Sequence, residues 1–285
     1  MKSVLPLTIK NTIRALKRRP IVWMPGIYAG CVAALVIWLE FTGGVFLAGK
    51  VAMLAAIVFP FFLSILNYHL ETDEDKLKML LTIALRGYFP IILPIVVLLG
   101  FAIVLAILLS IPLSFMGYGD NPNALTGLML GIFIPVALLS IYIDNVAVCE
   151  RTKVFSTLSR CFELVTGKII TAIWFFVISG IVTIFVTLLG ALLWGVMLAD
   201  RFTSFATMNM TMQQEVFSGY TLADWQNLIG PEGTIVTALV FGFVTFLLVP
   251  FLCIFKYECY LDALDVVWKV TSQIFCNLSE PRLLA

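Results

Sequence analysis

Six long apolar stretches, parted by short polar ones, set the pattern of this chain. They cover Ile21–Glu40, Val45–Leu66, Phe89–Leu113, Gly127–Val148, Ile169–Leu198 and Ile235–Phe255. Each approaches or exceeds the ~20 residues that carry an α-helix across a ~30 Å hydrocarbon core. Only helices and closed barrels satisfy their own backbone in lipid, and unbroken apolar runs of this length are not barrel strands. The pattern predicts an all-α integral membrane protein with six transmembrane helices.

A second pattern sits between the spans. Thr8–Arg19 places Ile9, Ile13 and Leu16 on one helical face, opposite Lys10, Arg14 and Lys17. Asp75–Arg86 groups Leu77, Leu80, Leu81 and Ala84, and Val154–Val165 groups Val154, Leu158, Cys161 and Val165. Such spacing beside cations predicts amphipathic helices lying in the membrane interface. Each is followed by a breaker: Arg19-Pro20, then Gly87-Tyr88-Phe89-Pro90, then Gly167. A fourth segment, Tyr257–Thr271, predicts a C-terminal interfacial helix over 257–277.

Wording recurs as well. Thr12-Ile13-Arg14-Ala15-Leu16-Lys17 leads to Pro20 and Pro25, and Thr82-Ile83-Ala84-Leu85-Arg86 leads to Pro90 and Pro94. This predicts one polytopic domain over 1–285, built as a three-fold tandem repeat near 1–70, 71–150 and 151–256. Thr42-Gly43-Gly44 predicts a tight hairpin between the first two spans. In the long fifth connection, Thr221 and Asp224 have the spacing of a helix start, and Gly230-Pro231 that of its stop.

Charge orients this array. Every Lys and Arg except Lys50 and Arg201 lies in the segments that share a side with the termini. The positive-inside rule then places both termini in the cytoplasm of a multi-pass cell-membrane protein. The formal net charge of +1 is the sum of two unlike faces. The basic face suits anionic headgroups, through Lys10, Arg14, Lys17, Arg18 and Arg19 above all. Nucleic acid is not implied, because topology already accounts for the cations. The six cysteines contain no CxxC pair and none falls in an outer connection, so neither a zinc site nor a disulfide framework is expected.

The basic amphipathic helix leading into a proline-marked span, with the stretch from Cys149 through Glu150, Arg151, Thr152 and Lys153 to Gly167 and Lys168, carries a resemblance. The chain resembles a group of prokaryotic, especially archaeal, polytopic membrane proteins. That group is similar to the membrane domain accompanying some glycerophosphodiester phosphodiesterases. The resemblance implies a six-span helical fold and no fixed activity. The chain departs from the enzyme pairing: it carries no hydrolytic domain, and His69 is its one histidine.

Few side chains offer chemistry. The run His69-Leu70-Glu71-Thr72-Asp73-Glu74-Asp75 could gather oxygens for a hard cation, or Thr72 could cap a helix whose first turn is acidic. Met208, Met210 and Met212 alternate as soft copper ligands would, or form an apolar loop surface. Glu40 and Lys50 flank the hairpin as an ion pair, as snorkelling ends, or as a substrate contact. Asp144 and Asn145 stand inside the fourth span, where ionisable groups are expensive and face a partner or a wet cavity. Lys256, Arg151 or backbone freed by a span proline are the candidate partners, and an interhelical polar clamp is the structural alternative to a polar path. Asn209-Met210-Thr211 matches a glycosylation acceptor. No cofactor or metal is implied.

The expected role is non-enzymatic, organising lipid or docking protein partners in a membrane complex, with Trp225 as the docking candidate in the outer segment. The alternative is a carrier or flippase-like transporter using Asp144, Asn145, Glu40 and Lys50; a lipid-headgroup enzyme is third. Orientation is directly testable. Single cysteines placed in Asp200–Gly233 should label from outside, and those in 73–86 only after permeabilisation. Labelling of both from one side would overturn the assignment.

Overall fold

The apolar stretches are helices in the computed structural model, which describes residues 4–73, 76–117, 121–205, 209, 211–212, 214 and 218–279. In chain order they are α1 (Val4–Arg18), α2 (Met24–Phe41), α3 (Val45–Thr72), α4 (Leu77–Phe115), α5 (Pro122–Ser140), α6 (Ile143–Cys149), α7 (Val154–Gly167), α8 (Ile169–Met197) and α9 (Leu222–Ser279). Short 3₁₀ segments cover Pro20–Trp23 and Ala199–Phe205. Among the described residues there is no strand. Six helical segments are long and apolar enough to cross a membrane: Pro20–Phe41, Val45–Thr72, Lys78–Phe115, Leu125–Cys149, Ile169–Met197 and Leu222–Asp265. The chain is an all-α, multi-pass membrane protein.

Contacts divide it into two compact units. One comprises Met1–Ala15, Pro60–Val177 and Cys253–Ala285; the other comprises Leu16–Phe59 and Ile178–Leu252. In the second unit, α2 and α9 cross where Gly30 meets Gly242. A Cβ on Gly30 would lie 2.7 Å from the Gly242 carbonyl oxygen, and one on Gly242 would lie 2.8 Å from that of Gly30. Lipid tails are as apolar as leucine, so close backbone approach and dispersion hold such a crossing. Trp23 stacks on Phe246 at 5.0 Å and donates its indole N–H to the Leu16 carbonyl at 3.0 Å. The hairpin forms at Thr42-Gly43-Gly44, with Gly43 at φ 84° and the Gly44 N–H bonded to the Leu39 carbonyl at 2.8 Å.

Among the described residues the first unit holds most of the buried polar side chains. Its α1 buries Thr8 and Thr12, not the isoleucine face, and Asn11 donates to Glu258 on α9 at 3.2 Å. Small threonines four apart let α1 approach closely, while Leu7, Ile13, Lys10, Arg14, Lys17 and Arg18 remain exposed. In α7 the expected face is inward: Cys161 and Val165 are buried with Thr157 and Leu164, and Phe155 and Phe162 point outward.

Three local readings are corrected. Gly87 and Pro90 do not end a helix: α4 runs through both for 39 residues. At 1.5 Å per residue that is about 58 Å, so its first turns extend past a ~30 Å core without a break. Gly87 instead provides clearance, because a Cβ there would collide with the Ser64 hydroxyl. Thr72 does not start a helix either; it is the last residue of α3, its hydroxyl bonded to the Tyr68 carbonyl at 2.9 Å. The segment over 257–277 continues α9 rather than starting a helix of its own. At its start Tyr257, Cys259, Tyr260 and Ala263 are buried while Leu261 is exposed, so residues 257–263 pack within the unit. The stop at Gly230 does appear, as a kink with φ 67°. The Thr221 start appears as well: Thr221 N–H donates to Asp224 at 2.8 Å, and the Asp224 N–H returns to the Thr221 hydroxyl at 3.4 Å.

Candidate functional site

The fourth span is not one helix. It breaks at Ile141 and Tyr142 into α5 and the two-turn α6. Every residue from Ile141 to Val148 is buried, including Asp144 and Asn145. A helix buried on all sides has no lipid-facing stripe, so its polar groups must find partners in protein. Asp144 finds Lys256 of α9 at 2.6 Å, with side-chain exposures of 6% and 16%. The same carboxylate oxygen accepts from the Asn67 amide of α3 at 3.1 Å, and Asn145 donates to the Asn67 oxygen at 3.3 Å. Removing one member would leave the other charged and alone at low dielectric, where desolvation is not offset.

The partners converge because of one stretch of α9. Lys256 reaches α6, Glu258 accepts from Asn11 of α1, and Tyr260 donates to Glu150 at 3.0 Å. Asp262 is ion-paired with Lys168 and accepts from Thr171 of α8 at 3.0 Å. Residues two apart on a helix lie about 200° round its axis, so alternate side chains serve elements on different sides. Glu150 is also held by Arg160 of α7, Nε to Oε2 at 3.0 Å, and Arg160 reaches Glu163 at 3.0 Å. Partial burial opposes the Arg160 charge, but Glu163 and Glu150 outweigh it and raise its pKa above the ordinary value. Burial, reinforced by Asp144 and Glu150 and opposed by Lys256, pushes the Cys161 thiol up to about 12. At neutral pH it is a packed thiol, not a nucleophile.

Beside this cluster lies a cavity of about 810 Å³. Its lining gathers four cations, Lys76, Lys78, Arg86 and Arg151, with the polar Tyr68, Thr82 and Thr152. Apolar surface comes from α4 and from Ala147 and Val148 of α6, so the two-turn helix faces the ion pair through one set of residues and the cleft through another. The turns that bring these segments together contain Asp73 and Arg151, both with left-handed φ, 56° and 51°. That conformation costs a non-glycine residue about 1–2 kcal/mol.

The other sequence candidates are dispersed. Lys50 lies over the Phe46 ring at 4.2 Å and forms no ion pair with Glu40, whose carbonyl accepts from Gln226 at 3.3 Å. Lys10, Arg14, Lys17 and Arg18 are exposed and Arg19 is half-buried. Trp225 is half-buried, its ring against Tyr220 at 5.5 Å. Asn209 is exposed and its side-chain oxygen accepts from the Met212 N–H at 2.9 Å. Met212 is exposed; Met208 and Met210, like Glu74 and Asp75, lie outside the described residues. His69 is buried within α3, and among the described residues no three His, Cys, Asp or Glu side chains gather as a metal site.

Sequence reasoning missed Asn67, which sits in an apolar run and carries no charge to flag it. It also missed that Lys76, Lys78, Arg86 and Arg151 share one cavity, since charge counting assigns them only a side. Comparison with protein-family models, curated proteins and solved structures finds no match for this chain.

Lys256→Met should therefore destabilise the protein by about 3–5 kcal/mol, and adding Asp144→Leu should recover most of the loss. Thermal unfolding in detergent reads both variants. A Lys256→Met protein that melts with wild type would show that the pair contributes nothing.

Proposed function

We propose that this multi-pass membrane protein is non-enzymatic and holds anionic lipid headgroups on the side of its termini, which face the cytoplasm of a cell membrane. The cavity lined by Lys76, Lys78, Arg86 and Arg151 carries the reading. Basic pockets between transmembrane helices suit anionic headgroups, each Lys or Arg near the surface contributing about 1 kcal/mol. Exposed Leu7 and Ile13 beside Lys10 and Arg14 of α1, and outward Phe155 and Phe162 of α7, give apolar and cationic surface for the same interface. A structural role for the interior polar groups agrees with this, since Asp144, Glu150 and Asp262 each have a cationic partner. Protein partners are a further expectation of the same surface.

The break in the fourth span favours a second reading, a carrier or flippase. Discontinuous helices place substrate groups in some transporters, and here the Tyr142 hydroxyl and Asn145 Oδ1 have no hydrogen-bond partner among the described residues. A lipid-holding protein reconstituted in vesicles leaves labelled lipid in its own leaflet; a carrier moves it across.

Binding is tested by adding lipid to delipidated, detergent-solubilised protein and following its melting temperature. Phosphatidylglycerol should raise it by several degrees, by roughly 2–4 °C per kcal/mol gained, and phosphatidylcholine should leave it in place. Equal shifts with both lipids would contradict an anionic headgroup site.

A further inference from the structure

The lining of the basic cavity is graded, and the grading bears on which headgroup fits. This inference rests on the reading above and narrows it. Along α4 the cavity is met by Lys78, Met79, Thr82, Ile83, Arg86 and Pro90, a stripe at three- and four-residue spacing on one helical face. Lys78 and Arg86 are eight residues apart, which is about 12 Å along the helix axis. Thr82 and Ile83 separate them, so the cations form two stations rather than one. Neither Lys78 nor Arg86 makes an ion pair with a described residue. Arg151 interacts with nearby Glu71, so part of its charge is already answered within the protein. Among the described residues no Asp or Glu lines the cavity. Its volume of about 810 Å³ is in the range of sites that enclose a drug-sized ligand, so a headgroup larger than one phosphate fits.

A lipid with one phosphodiester brings a single negative charge and answers one station, leaving the other cation facing apolar surface. Two phosphate charges joined by a short polar linker answer both; the Thr82 hydroxyl between Lys78 and Arg86 donates to the Lys78 carbonyl at 2.9 Å, which leaves its oxygen as an acceptor for a hydroxyl on that linker. We propose that the cavity is a site for a lipid headgroup bearing two phosphates. Ile83, Pro90, Val148 and Met79 give the apolar wall against which the glycerol backbone and the first methylenes of such a lipid pack.

The test uses the full-length protein in detergent with three probes: cardiolipin, whose headgroup carries two phosphodiesters on one glycerol, phosphatidylglycerol, and inorganic pyrophosphate. Binding is followed by native mass spectrometry and by melting temperature. Cardiolipin should bind roughly fivefold more tightly than phosphatidylglycerol, as expected for a second phosphate meeting its own cation. Lys78→Gln and Arg86→Gln should each remove that preference and leave phosphatidylglycerol binding within about twofold, since one station remains. Both side chains are exposed, so the lipid-free melting temperature reports whether either variant is misfolded, and each variant stands in for the other. Equal affinity for the two lipids in the wild type would overturn the two-phosphate assignment while leaving an anionic-lipid site intact. Failure of both lipids to bind would remove that site as well. Competition by pyrophosphate at concentrations equal to cardiolipin would assign the cavity to a soluble phosphate and overturn the lipid assignment. An unchanged cardiolipin preference in both variants would show that the stations are not Lys78 and Arg86.

Discussion

The ion pair between Lys256 and Asp144 is the constraint around which the first unit is arranged. A carboxylate and an ammonium group buried among apolar helices each carry a desolvation cost of several kcal/mol, and only close pairing with additional hydrogen bonds offsets it. That requirement fixes the register of α9 against α6 to within one residue. Once Lys256 is set, Glu258, Tyr260 and Asp262 follow from helical geometry, and they meet Asn11 on α1, Glu150 just after α6 and Lys168 just after α7. Apolar contacts alone would hold these helices at many near-equivalent registers; the alternating polar residues of α9 admit one.

The same pair explains how a span can be broken. Opening a helix at Ile141 and Tyr142 frees backbone groups that lipid cannot satisfy, so such a break persists only inside protein. Tyr142 fills the gap, fully buried with its ring 6.0 Å from that of Tyr260, and α6 turns wholly inward. The inward turn places Ala147 and Val148 along the basic cavity, and Arg151 and Thr152 follow at its edge. Interior pairing and cavity shape are thus two consequences of one bend.

Much of this architecture was legible in the chain. Lipid solvation demands long uninterrupted apolar runs, so the six spans and the hairpin at Gly43 stand out. Asp144 stood out for the same reason, since an acid in an apolar run needs a partner, and Lys256 was among the few cations within reach. The bend itself was hidden: the run from Leu128 to Val148 contains no breaker at 141–142, and the break is held by tertiary partners instead. Gly87 was misread because a glycine serves equally as a helix breaker and as clearance for a neighbour, and only the position of Ser64 decides between them. Residues 257–263 show the reverse case, an amphipathic pattern in which Tyr257, Cys259, Tyr260 and Ala263 are absorbed by packing. The cavity was illegible because its cations come from two distant segments, 76–86 and 151, that charge counting places only on one side.

Amide hydrogen exchange in the purified protein tests most directly whether the pair seals the broken span. The account predicts that amides of residues 145–149 exchange as slowly as those of 254–262 in wild type. In Lys256→Gln the 145–149 amides should lose protection while α2 keeps its own. Rapid exchange of 145–149 in wild type, beside a protected α9, would contradict it.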